Sequence, residues 1–212
     1  MVYAAALRRA SAEGGSGPRV TVSAVDPAGP RRRFRPRDWC RDALPGDEGL
    51  LRRCAGPVLD VGCGPGRLTS ALTARGHVAL GVDISRDAVA LARRRGAPAL
   101  RRDVFAPLPG EGGWARVLLV DGNIGINGAP VRLLRRCRDL AAPYGRILVE
   151  VEPPGARTWA GEVRIAADGG VPSAPFPWAY VSVDQLARLA RAAGLRVLDH
   201  WTEAGRWFAD LS

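Results

Sequence analysis

Residues 58–66 read Val-Leu-Asp-Val-Gly-Cys-Gly-Pro-Gly, and no other stretch constrains the fold as tightly. The apolar run over 57–61 predicts a buried strand. Three glycines at alternate positions follow, Gly62, Gly64 and Gly66, and residues 67–74 then predict a helix. Strand, glycine turn and helix in that order let an α/β sheet bring its backbone against a nucleotide. Glycine suits such a turn because it reaches positive φ and has no Cβ to collide with a ligand.

The spacing narrows the ligand. A dinucleotide fingerprint places glycine at the sixth position of G-x-G-x-x-G, where this chain has Arg67. Asp60, just before the glycines, would repel a pyrophosphate but suits a ligand carrying an amine or a sulfonium. Further acids follow in order. Residues 78–85 predict a second strand ending at Asp83-Ile84, and 97–100 a third followed by Asp103-Val104. Residues 115–120 predict a fourth, ending in Asp121-Gly122-Asn123.

Asp60-x-Gly62-x-Gly64-x-Gly66, with Asp83, Asp103 and Asp121 behind it, resembles the motifs of class I S-adenosylmethionine-dependent methyltransferases. The resemblance covers roughly three quarters of the chain. It implies an α/β, Rossmann-like fold: a seven-stranded, mostly parallel sheet with an antiparallel last strand and helices on both faces. It implies S-adenosylmethionine as cofactor and S-adenosylhomocysteine as its product. The cofactor-binding residues it implies are Asp60, Gly62, Cys63, Gly64, Gly66, Asp83, Ile84, Asp103, Val104, Asp121 and Gly122. Asp83 would take both ribose hydroxyls and Ile84 the adenine face. Asp103 would take the exocyclic amine and the next backbone N–H a ring nitrogen.

The rest of the pattern extends the sheet. Residues 129–140 predict an amphipathic helix and 146–152 a fifth strand. Residues 184–193 predict another helix, stopped by Gly194, and 195–202 with 206–211 a closing hairpin. This divides the chain into an arm at 1–49 and a core at 50–212 with an insertion at 153–180. In the arm, 3–12 predicts a helix, and 19–25 pairs with 31–35 as a hairpin across 26–29. The insertion is rich in Pro, Gly and aromatics. In the family such additions cover the donor and form the acceptor pocket, which points to Trp39, Asn123, Ile124, Trp159 and Trp178 as pocket residues. Equally, these aromatics could pack a satellite core.

Methyl transfer from a sulfonium needs alignment and exclusion of water more than acid–base chemistry. The catalytic candidates are few: His200 on a late strand, and Asn123 after the fourth. His77 falls at the N-terminal edge of the sheet, away from the ligand. No metal is expected. Asp121, Glu150 and Glu152 near strand ends form no further ligand cluster, and the four cysteines make no C-x-x-C pair.

The net charge is +10, which raises nucleic acid as a partner. All 31 basic residues are arginine, and they fall in separate places along the chain. That bias, with abundant Ala, Gly and Pro, marks a high-G+C bacterial genome and argues against a nucleic-acid surface. No apolar run approaches the roughly 20 residues of a membrane span. Free thiols and the lack of a leader pattern place the protein in the cytoplasm. The expected partner is a small-molecule acceptor. Two alternatives stay open: an RNA or other nucleic-acid methyltransferase, and a non-catalytic domain that only binds S-adenosylmethionine.

Overall fold

Strand β3 (Val58–Val61) is buried along its whole length, as its uninterrupted apolar character requires of a strand covered on both faces. In the computed structural model, which describes residues 5, 7, 20–25, 29–34, 36–167 and 170–212, β3 lies in the interior of a seven-stranded sheet. Its companions are β4 (Ala79–Asp83), β5 (Ala99–Arg101), β6 (Trp114–Leu119), β7 (Ala141–Val151), β10 (Val197–Glu203) and β11 (Arg206–Leu211). The order is β10-β11-β7-β6-β3-β4-β5. The pairs β6–β7, β3–β6, β3–β4 and β4–β5 are parallel, while β11 runs antiparallel to both β7 and β10. The expected sheet, with its reversed last strand, is therefore observed.

Period-two alternation sends the two faces of these strands to different helices. Val58, Leu118 and Leu148 pack with α2 (Asp47–Arg52) and α3 (Arg67–Ala74). Leu59, Val61, Val117 and Leu119 face α5 (Pro130–Leu140) and α6 (Val183–Ala192). Helix α4 (Arg86–Arg94) contributes Val89 and Ala92 to a smaller cluster with Cys63 and Ala99. Ser85 caps α4 through the Ala88 N–H, and Ser182 caps α6 through the Asp184 N–H.

The additions to the core make a second sheet with one another. β1 (Val20–Ala24) pairs antiparallel with β2 (Arg31–Phe34), as the expected hairpin requires. Its other edge pairs with β8 (Trp159–Ala167), and β8 pairs with β9 (Phe176–Tyr180), giving the order β2-β1-β8-β9. The short helix α1 (Pro36–Trp39) follows β2. The predicted helix at 3–12 lies outside the described residues, save Ala5 and Leu7. The sheet is tied to the core where β9 runs into α6: Glu152 donates its N–H to the Val181 carbonyl at 2.8 Å and accepts from the Val183 N–H at 2.9 Å.

No helix among the described residues is long and apolar enough to cross a membrane. The four cysteines are free.

Candidate active site

The glycine turn needs its glycines for backbone and for space. Gly62, Gly64 and Gly66 have φ of 73°, 54° and 81°. A Cβ on Gly62 would lie 2.6 Å from Asn123 Nδ2, and one on Gly66 would lie 2.7 Å from Ala92 Cβ. Gly81, inside β4, is a further requirement that the sequence reading missed. A Cβ there would come within 2.6 Å of Cys63 Sγ, so the turn rests directly on that strand. The signal was present, because a glycine inside an apolar strand marks close approach by another segment. Cys63 is a buried filler whose thiol pKa is pushed up, chiefly by burial.

Asp83 ends β4 beside this turn. Its Oδ2 accepts the Gly64 N–H at 3.0 Å and its Oδ1 accepts the Ser85 N–H at 2.7 Å. The two bonds orient the carboxylate and leave acceptor capacity on each oxygen. Burial raises its pKa in spite of both bonds. The next side chain, Ile84, is 72% exposed, an apolar surface beside an oriented acid. Asp103 folds its Oδ1 onto the Phe105 N–H at 2.9 Å, while the Val104 side chain is buried in the main core and leaves only its backbone for binding.

Asp60 is buried. Its Oδ2 accepts from the Thr69 hydroxyl at 2.7 Å, and its pKa is pushed up to about 6, chiefly by burial. It therefore stands beneath the turn, on the α3 face of β3, as a support for the loop.

Asp121 and Gly122 both take positive φ, 57° and 83°, and turn the chain sharply after β6. The Asp121 carboxylate belongs to a partly buried ionic network outside the sequence reading. Arg67 donates to Asp47 and, at 2.6 Å, to Asp121 Oδ2. Arg206 donates to Asp47 Oδ1 at 2.8 Å, Asp121 Oδ1 at 3.1 Å and Glu150 Oε2 at 2.7 Å. Glu150 also accepts the Asp121 N–H at 2.7 Å. Burial opposes ionisation of Asp47, yet Arg67 and the Leu44 N–H hold its pKa below the ordinary carboxylate range. Burial raises that of Asp121 against the pull of Arg67. Two cations and three anions thus lock α2, α3, β6, β7 and β11 together at the base of the site. Of these, Asp121 was expected among the cofactor-binding residues. Both its carboxylate oxygens accept from arginines, which leaves its backbone facing the turn.

Asn123 opens the 3-10 segment Asn123–Gly128. Its Nδ2 donates to the Val61 and Gly62 carbonyls, each at 2.9 Å. It was expected to touch the acceptor. Its amide is a clamp that fixes the post-β6 turn onto the glycine turn.

An open cleft with about 280 Å³ of empty space lies between this turn and the second sheet, lined by residues including Gly122, Ile124, Glu150, Glu152 and Tyr180. Of the expected pocket residues Ile124 lines it, and Trp39, Asn123, Trp159 and Trp178 do not. Trp159 is buried against its cross-strand partner Tyr180, its ring folded over Gly161. Trp178 packs edge-on to Phe176, with its indole over Gly125, where a Cβ would lie 2.8 Å from Nε1. Trp39 lies 5.6 Å from the ring of Phe34. Trp159 and Trp178 lie on paired strands and pack within the second sheet and against the 3-10 segment, whereas Trp39 ends helix α1 beside Phe34. His200 is exposed mid-way along edge strand β10, separated from β6 by β11 and β7, and is not brought to the site.

The family model described as a methyltransferase domain matches residues 30–200. The chain belongs to this methyltransferase family. Among solved structures, a S-adenosylmethionine-dependent methyltransferase from Bacteroides fragilis, in complex with S-adenosyl-L-homocysteine, has a TM-score of 0.79 at 20% identity, over 99% of this chain and 93% of that one. The 1,6-didemethyltoxoflavin-N1-methyltransferase of Burkholderia thailandensis has a TM-score of 0.54 at 24% identity, over 77% and 72% of the two chains. An O-methyltransferase from neocarzinostatin biosynthesis has 0.57 at 23%, over 78% and 52%. No curated protein sequence matches this one.

Proposed function

We propose that this methyltransferase moves a methyl group from S-adenosylmethionine to a small molecule, leaving S-adenosylhomocysteine. The observation that carries the reading is Asp83, pre-oriented by the Gly64 and Ser85 N–H groups beside a turn with no room for a Cβ at Gly62 or Gly66. The residues fit the cofactor. Asp83 would hold the ribose diol and the exposed Ile84 the adenine face, while Asp103 and the Val104 backbone would reach its edge. The backbone of residues 62–66 and Gly122 would lie along the methionine end. When bound, the cofactor supplies a methyl group already activated by its sulfonium.

The chain's own residues then have to align and shield. Asn123 fixes one wall against the other, and the partly buried Arg67–Arg206 network keeps Asp121 and Gly122 in their unusual conformation. The second sheet, built from the arm and the insertion, would cover the cleft and exclude water. A small acceptor is supported by the modest cleft. It is also supported by two structural neighbours, one bound to 1,6-didemethyltoxoflavin and one to 2-hydroxy-5-methyl naphthoic acid. We place the enzyme in the cytoplasm, in keeping with four unpaired thiols.

Calorimetric titration with S-adenosylhomocysteine tests the donor site. Saturable binding at one site per chain is expected, and its absence removes the assignment. Sub-micromolar binding to a structured RNA at physiological salt, with methyl incorporation, would replace the small-molecule acceptor by a nucleic acid.

A further inference from the structure

The acceptor side of the cleft carries a carboxylate that the donor site does not use. Glu152 follows the last residue of β7, and its backbone is held on both sides by Val181 and Val183. Its side chain is 19% exposed, and among the described residues only Arg32 reaches it, Nη2 to Oε2 at 2.5 Å. Every neighbouring carboxylate is committed: Glu150 to Arg206 and the Asp121 N–H, and Asp121 to Arg67 and Arg206. Arg32 comes from edge strand β2, is 42% exposed, and lies 5.0 Å over the Tyr180 ring. The cleft therefore has a rigid, half-sheltered acceptor of hydrogen bonds, covered by one long, solvated side chain that can swing aside.

Resting on the methyl-transfer reading, we propose that Glu152 anchors the methyl acceptor and that this acceptor is a small amine, whose N–H takes the place of Arg32 on the carboxylate. An amine exchanges one donor for another and leaves Glu152 satisfied. An acidic acceptor would have to draw Arg32 away and strand a sheltered carboxylate without a partner, which is costly. The apolar walls, Ile124, Val151 and Val181, suit the hydrocarbon part of such a molecule. The chemistry balances without a proton moving in the transfer step. The bound ammonium first gives a proton to solvent, and the lone pair of the resulting neutral amine forms the N–C bond as the C–S bond breaks and its pair goes to sulfur. Positive charge arrives on nitrogen next to Glu152, which stabilises it as it develops. The methylated ammonium then releases a proton to solvent.

The test uses the full chain saturated with S-adenosylhomocysteine, titrated calorimetrically with benzylamine, benzyl alcohol and benzoate. Benzylamine should bind most tightly of the three. Glu152→Gln should weaken it on the order of tenfold, the loss of a charge-assisted bond. Arg32→Ala should tighten it by removing the competitor, and this arm stands even if Glu152→Gln folds poorly. The proposal is overturned if benzoate binds best and Arg32→Ala abolishes it, if benzylamine is indifferent to both substitutions, or if none of the probes binds. Failure to saturate with S-adenosylhomocysteine would instead remove the methyltransferase reading on which the proposal rests.

Discussion

Two aspartates of the nucleotide side, Asp60 buried and Asp83 half-buried, have opposite duties. Asp83 has acceptor capacity left after its two backbone bonds, so Asp83→Ala should remove two charge-assisted hydrogen bonds to ribose, about 1.5–3 kcal/mol each, read as lost S-adenosylhomocysteine affinity by calorimetry. An unchanged affinity would show that the ribose binds elsewhere. Asp60 has no such surplus exposure and is a strained support. Its folded pKa, about 6, lies above the ordinary 3.8, so its proton is held more tightly in the fold than in the unfolded chain. Stability from this group is intact below about pH 4 and is lost as pH rises through about 6, some 3 kcal/mol at most. Asp60→Asn keeps a carbonyl for Thr69 and should raise the urea midpoint at pH 7, with the gain fading towards pH 4. A midpoint that falls at pH 7 would mean that the carboxylate is stabilised in a way its burial does not suggest. The sequence marked both acids by their places at strand ends. It could not separate binder from support, because that depends on whether Thr69 or a backbone N–H faces the carboxyl.

At the scale of elements, the core was legible because its strands are short apolar runs and its helices are punctuated by Gly76, Gly96 and Gly194, all at positive φ. The second sheet was legible only by half. The β1–β2 hairpin is local, with polar and β-branched alternation about a short turn, whereas β8 and β9 are interrupted by Gly161 and Pro177 and read as loop. The pairing of β8 with β1 joins residues more than a hundred positions apart, which no local pattern encodes. The ionic network was hidden for the same reason: Asp47, Arg67, Asp121, Glu150 and Arg206 come from five elements. Arg206 is its hub. Arg206→Ala should leave the half-buried Glu150 carboxylate with the Asp121 N–H as its remaining donor, while Asp121 keeps Arg67, and cost about 1.5–3 kcal/mol in chemical denaturation. Arg75→Ala, which removes an exposed pair with Glu48, should cost under about 1 kcal/mol. Equal effects would show that water reaches the network and screens it.

At the scale of the molecule, the proposed donor site belongs to the central sheet, whereas the cleft lies between that sheet and the second. The central sheet supplies the glycine turn, Asp83 and the network. The second sheet supplies Tyr180 and Arg32 and faces the 3-10 segment through Trp178 and Ala179. The arm is the half of that sheet which can be removed, since β1 and β2 precede every core strand. Deleting residues 1–36 takes away Arg32 and bares the edge of β8, but touches no residue of the glycine turn or of the Arg67–Arg206 network. S-adenosylhomocysteine affinity should then stay within a few-fold of the intact chain, while methylation of any acceptor falls far more. Limited proteolysis supplies the complementary readout. Ligand added to the intact chain should protect 153–180, and the same ligand added to the truncated chain should not, because β8 has lost the strand that holds it. If truncation abolishes binding of the ligand as well, the arm shapes the donor site directly, and the division of labour between the sheets is wrong. If it leaves methylation intact, the acceptor is held by the turn after β6 and by Glu152 alone, and the arm serves another purpose.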